Sequence, residues 1–239
     1  RNYMALLGVL VAAYAVLERV ARPHAQALVA LLVIGLLVFL CLLRSAAWGS
    51  ALSLAVENAT NNPLSARASN DLGIELAELA QHDPASPWFA KAVAEFERGK
   101  ALPKASPLPE QALIVLHAAN GLPVDPAWWD SIDEKLGSRT VGVQETLAIS
   151  GLLDRAREGI AIDPARLERA WRAVDARLPW PAHQRARFAD WLAGQPGRRE
   201  AALVEFDRAA KEADGSLRKQ IEAAMQRVAS ANAASSTPP

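Results

Sequence analysis

One cysteine, Cys41, stands in a chain of 239 residues, and it lies inside an apolar run. A lone cysteine closes no internal disulfide, so the redox compartment cannot be read from it. It reads as a small apolar residue, buried or facing lipid. Net charge is lacking too. The chain carries 26 basic and 26 acidic residues, a balance that offers nothing to nucleic acid. Alternating Val/Ile/Thr stretches are missing, which argues against strands. No glycine-rich phosphate loop is present; "GQPGRRE" has two glycines ahead of a helix start. There is no G-x-S-x-G elbow and no Cys/His pairing for a nucleophile. Four histidines, His24, His82, His117 and His183, never fall at i, i+3 or i+4, which excludes a metal site on one helix. We expect no catalytic motif, no metal and no cofactor in this chain. His117, in "ALIVLHAANG", alone lies near an apolar face, and it reads as a packed or capping residue.

What is there begins with apolar length. The chain opens "RNYMALLGVL" and is apolar by its fourth residue. We expect such an opening of the tail of a longer membrane protein. Met4 to Leu17 has no charge, and Ala27 to Leu43 has neither charge nor proline. Extended by its neighbours, the first run predicts a helix over about 3–21, with Tyr3 at the interface and Arg19 snorkelling. The second predicts a spanning helix over 27–43. Pro23, between them, disfavours helix at Arg22 and suits a turn. The two runs read as a transmembrane hairpin over 1–44, in contact with membrane lipid. The competing reading, a signal peptide cleaved at "AQA", fits poorly with a longer apolar run directly after it. Arg19, Arg22 and His24 in the loop favour its cytoplasmic side, which sends both ends across the membrane. Residues 1–44 hold four arginines and one acid, leaving a mildly acidic remainder.

From Ser45 onward the periodicity is helical throughout. Breaks such as "NNP", "HDPASP", "LPKASPLP", "GLPVDP", "AIDP" and "LPWP" recur at short intervals. Asp83–Pro84, Asp125–Pro126 and Asp163–Pro164 each place a proline behind a capping acid. The pattern predicts helices near 45–59, 63–81, 86–102, 107–120, 126–136, 141–158, 164–177, 181–194, 198–212 and 215–230. Residues 231–239 lack apolar anchors and are expected to be disordered. Short helices joined by short breaks predict an all-α fold, an α-solenoid of tetratricopeptide-like pairs over 45–230. Leu72-Gly73, then Ala92 and Phe96, with Pro103 beyond, match the tetratricopeptide pattern. Ala202, Phe206 and Ala209, behind a helix with Phe188, Trp191 and Leu192, match it without Leu-Gly. Between Pro107 and Leu178 there are helical pairs and no clean repeat.

Trp128-Trp129 is the main binding candidate. Adjacent helical residues point about 100° apart, so one ring can enter the core while its neighbour borders a groove, where a sugar or peptide would stack. The plainer reading has both anchoring neighbouring pairs. Asp130, Asp133 and Glu134 share a helix face and read as solvated. Arg166, Arg169, Arg172, Arg185, Arg187, Arg198 and Arg199 alternate with Glu168, Asp175, Asp190 and Glu200, an ion-paired surface rather than a nucleic-acid stripe.

The opening "RNYMALLG" resembles a stretch of bacterial multi-spanning proteins of the GT-C glycosyltransferase type that carry C-terminal tetratricopeptide repeats, relatives in plan of protein O-mannosyltransferases. "NNPLSARASNDLG" and "SPLPEQALIVLHAANGLPVDPAWWDSIDEKL" are similar to the repeat domain of that family. The resemblance implies a final membrane hairpin followed by a periplasmic helical domain, in the bacterial inner membrane. It implies that the catalytic acids lie in an earlier outer loop, outside this sequence. It places Arg1, Asn2 and Tyr3 on the outer side, with Arg1 near a phosphate of a lipid-linked sugar. The role it implies is a non-catalytic anchor that binds an acceptor or partner protein. The alternative is a membrane-tethered scaffold with no link to sugar transfer.

Overall fold

A computed structural model of the chain describes Gly8, Val11, Ala12, Ala15 and residues 23–235. Arg1, Tyr3 and most of the first expected membrane helix lie outside the described residues; the four early ones are helical. The described residues form helices and no strands. The chain divides into two compact units, Arg1–Glu57 and Asn58–Pro239.

In the first unit, α1 (Pro23–Ala47) starts on its proline, where a missing amide costs nothing. Within it, His24–Leu42 has a mean hydropathy of 2.8 over 19 residues and is not buried at all. At 1.5 Å per residue that stretch spans about 28 Å, close to the ~30 Å of a bilayer core. Among the described residues it is the one helix long and apolar enough to cross a membrane. Cys41 lies on it, exposed. The predicted boundary at 43–45 moves. α1 continues to Ala47, the chain turns at Trp48–Ser50, and α2 (Ala51–Asn61) follows. Gly49 and Ser50 explain the break, for the Ser50 hydroxyl accepts the Ser53 amide at 3.0 Å and caps the new helix.

The second unit holds α3 (Ala66–Ala80), α4 (Pro87–Ala101), α5 (Leu108–Ala119), α6 (Pro126–Ser138), α7 (Val143–Arg157), α8 (Pro164–Asp175), α9 (Ala182–Ala193), α10 (Arg199–Glu212) and α11 (Gly215–Ser235). Local chemistry explains the starts. Asp125 caps α6 through the Ala127 amide at 2.8 Å, and Asp163 caps α8 through Ala165 and Arg166 at 2.9 and 3.1 Å, with proline first inside each helix. Asp83–Pro84 behaves differently from expectation. The Asp83 carboxylate accepts the Ala85 amide at 2.9 Å within the turn, and Ser86–Pro87 caps α4 instead. α11 runs on to Ser235, past the expected end at 230, because "ANAA" is good helix sequence.

Helices pack in sequence order: α3 on α4, α5 on α6, α7 on α8, α9 on α10, and α10 on α11. A second order overlies this one. Odd helices touch the next odd helix, α3–α5–α7–α9–α11, and α6 touches α8. Side chains extend the even set. The Trp128 indole N–H donates to Glu97 at 2.6 Å, Arg166 pairs with Asp130 at 2.6 Å, and Arg172 reaches Glu205 at 3.5 Å. These bonds join residues 31, 36 and 33 apart, α4 to α6 to α8 to α10. The core lies between the two sets, with Phe96, Leu113, Ile132, Ile149, Leu152, Trp171, Phe188 and Phe206 essentially inaccessible.

A polar device recurs at the ends of even helices. Arg98, at the end of α4, donates to the Pro63 carbonyl 35 residues back, at 2.7 Å. Arg139, capping α6, donates to Ala105 O 34 residues back, at 2.8 Å. Arg177, just past α8, donates to Arg139 O 38 residues back at 3.1 Å, and to Gly137 O and Leu136 O. Each guanidinium satisfies carbonyls at or beside the connection that precedes its own helix pair, groups that a helix end leaves without partners.

A cleft on the odd helices

A cleft of about 600 Å³ opens on the odd-helix side of the second unit. α3 contributes Ile74, Ala77 and Glu78, α5 contributes Gln111, Ala112, Val115, Leu116 and Ala119, and Arg155 enters from α7. Phe89 and Phe96 of α4 close its floor. The small residues Ala77, Ala112 and Ala119 leave the space; larger side chains there would fill it. The rim at the α3–α4 connection is Gln81 and His82, consecutive residues with φ of 50° and 62°. Neither is a glycine, so this turn holds a left-handed backbone at some cost. The turn keeps both polar side chains beside the cleft.

Three amides lie in the wall, among apolar side chains and beside Glu78, His82 and Arg155. The Gln111 side chain has no hydrogen-bond partner among the described residues and rests against Gly151, where a Cβ would come within 3.4 Å of its amide nitrogen. Asn120 donates to Leu116 O at 2.7 Å, and its side-chain oxygen is buried without a partner. Gln81 completes the set. The Gln111 and Gln81 amides each offer a donor and an acceptor together, which matches a peptide backbone, while the apolar residues match a side chain.

Behind the floor runs an aromatic chain. Phe89 is tilted against His117 with centroids 5.8 Å apart, and His117 meets Trp128 edge-on at 4.7 Å. His117 Nδ1 lies 2.9 Å from Pro123 O, which makes it the protonated nitrogen. Its Nε2 is buried without a partner. Trp128 and Trp129 are 5% and 3% exposed. Both rings are therefore core, and neither presents a face to a groove. Asp130 and Asp133 engage Arg166, and Asp133 also engages Arg169, at 2.6, 3.4 and 3.3 Å. The hydrogen bond that Arg166 donates to Asp130, with the surrounding carboxylates, raises the Arg166 pKa against its desolvation.

The pattern residues are placed as follows. Leu72 is half-buried, and a Cβ on Gly73 would fall closer than 3.0 Å to three atoms of the Phe96 ring. Ala92 and Phe96 are buried, as are Ala202 and Phe206. Phe206 packs in a cluster with Ala189, Ala209, Ala213 and Ile221. Beside it Trp180, Trp171, Phe188 and Trp191 stack in series at 4.0, 4.5 and 5.7 Å.

Buried charge joins the helices in two places. Glu110 is inaccessible, pairs with Lys135 and accepts from Ser131 at 2.6 Å, while Lys135 also donates to Ser106 O. Arg185, 4% exposed, grips Asp175 through two bonds of 2.9 and 2.8 Å and reaches Glu205 at 3.2 Å. Burial pushes the Asp175 carboxyl up. Hydrogen bonds from Arg185 and the Trp180 amide, with the Arg185 charge, outweigh it and hold Asp175 below its ordinary value. Burial works against the Arg185 charge, and the carboxylates of Asp175, Glu205 and Glu212 still raise its pKa.

The cleft was not legible beforehand. Gln111, Ala112, Val115 and Ala119 sit at i, i+1, i+4 and i+8, the spacing of one helix face. That face carries no signal separating a groove from a core. Compared with family models, curated proteins and solved structures, the chain matches none of them.

Proposed function

We propose that this chain is the membrane anchor and protein-binding part of a GT-C glycosyltransferase-like integral membrane protein, without catalytic residues of its own. α1, with the apolar run before it, forms the membrane hairpin. The second unit is an α-solenoid of tetratricopeptide-like pairs on the periplasmic side of a bacterial inner membrane. The observation that carries the binding role is the largely apolar cleft on the odd helices, with Gln111 in its wall and the Asn120 side-chain oxygen unpartnered. The arginines that return 34 to 38 residues to the preceding connection support tandem units of one plan. A lipid-exposed α1 is supported by its hydropathy and by the exposure of its large apolar side chains from Leu28 to Leu42.

Membrane residence is tested by alkaline carbonate extraction, after which the chain should stay with the membranes. Release into the supernatant would remove the anchor. Sidedness is tested on a Ser216→Cys variant: an impermeant maleimide should label it from the periplasm, and labelling from the cytoplasm would reverse the placement. The transferase link predicts further spanning helices, and an acidic motif in the first outer loop, in coding sequence upstream of Arg1. A start codon directly before Arg1 would favour the second reading, a tethered scaffold, which the same cleft supports equally.

A further inference from the structure

Building on the protein-binding reading, we propose that the cleft and the helices beyond it take one extended segment of a partner protein, apolar at one end and acidic at the other. The apolar end lies in the cleft between α3 and α5; the acidic end meets Arg199 and Arg227. The surface between them is already neutralised. Arg155 pairs with Glu158 at 2.6 Å, Arg157 with Asp190 at 3.1 Å, and Arg187 with Asp154. Past these pairs the charge no longer balances. A recess of about 240 Å³ between α9, α10 and α11 is lined by Arg199 and Arg227, with Asp190, Ala193, Ala224 and Val228. Its one acid, Asp190, is taken by Arg157. Arg199 gives a single bond to Ala229 O at 3.0 Å and has no carboxylate partner among the described residues. The Arg227 guanidinium has no hydrogen bond or ion pair among them, although its carbonyl accepts from the Ser230 hydroxyl, and it also lines the adjoining recess with His183.

Two guanidinium groups without acids, at the end of a track whose other charges are paired, select for carboxylates rather than ammonium groups. The odd helices α3 to α11 follow one another in contact, so the cleft and the recess lie three helix spacings apart. At 8–10 Å each that is roughly 27 Å, or about eight residues of extended chain.

The test uses the full chain in detergent micelles and fluorescein-labelled peptides. The first probe carries leucines, a Gly-Ser spacer of about eight residues, then glutamates; the second replaces the glutamates with lysines. Fluorescence anisotropy should show the glutamate probe binding about tenfold tighter, and tighter still at low salt. The double variant R199E/R227E, altered at exposed or partly exposed sites, should lose that preference or reverse it. A112W, which fills the cleft, should abolish binding of both probes; binding to detergent would survive it. Circular dichroism checks that each variant keeps its helices. Equal affinity for the two probes, or unchanged affinity in R199E/R227E, would overturn the acidic assignment while sensitivity to A112W upheld the cleft. Binding of neither probe would overturn the assignment and the protein-binding reading together.

Discussion

The pairs α3/α4 and α5/α6 meet the same demand, two helices held against each other, with opposite means. In α3/α4 the contact is close. Gly73 admits the Phe96 ring, and the Ser69 hydroxyl donates to the Glu95 carbonyl. In α5/α6 the contact is sparser, no glycine admits a ring, and the link is the buried pair of Glu110 and Lys135 with Ser131. Two successive helices can therefore be held together without one shared side-chain pattern. The small-residue and aromatic pattern is one way to set the spacing, and a buried ion pair with its hydrogen bonds is another.

This contrast can be broken in order of expected effect. Lys135→Met leaves Glu110 buried and unpaired, and should cost about 3–5 kcal/mol, while the double change Glu110→Leu with Lys135→Met should recover most of it. Thermal melts by circular dichroism check both; a cheap single change would mean that water already solvates Glu110. Gly73→Val drives a methyl-bearing carbon into a ring that is 1% exposed and should cost about 1–3 kcal/mol. Combining it with Phe96→Leu should return part of the loss, and strict additivity in that cycle would refute the contact.

Arg177→Ala should cost less, about 1 kcal/mol, because the side chain is exposed and water replaces some of its bonds. Hydrogen exchange should rise at the α6–α7 connection and not at the α9–α10 one. The smallest effect is on pH. Asp175 sits below its ordinary value in the folded chain, so its contribution is present above that ordinary value and fades as pH falls through the lower one. Asp175→Asn should flatten the acid limb of a stability–pH curve. An unchanged limb would show that Arg185 relies on Glu205 and Glu212.

Helices were most legible where their starts carry local chemistry. Asp125–Pro126 and Asp163–Pro164 announce α6 and α8 through caps and a missing amide. Asp83–Pro84 does not open a helix, since an Asp-Pro pair also closes a turn; the helix expected over 86–102 starts at Pro87 behind the Ser86 cap. Trp128 and Trp129 looked like groove candidates because adjacent residues diverge on a helix. In the fold, contacts on both sides of α6 cover both rings. The links between successive helix pairs were illegible for a different reason. They rest on arginines that reach carbonyls 34 to 38 residues away, and arginines are too common in this chain to reveal them.

Sequence alone decided that the described chain is helical, where most helices begin, and that His24–Leu42 is apolar enough for lipid. Those properties follow from periodicity, capping and hydropathy, which act within a few residues. Tertiary structure decided which helix touches which, that Glu110 and Lys135 share one buried place, and that Gln111, Asn120 and Arg155 border one cleft. Such juxtapositions join residues tens of positions apart, and only packing of the two helix sets, with small residues where backbones come close, brings them together.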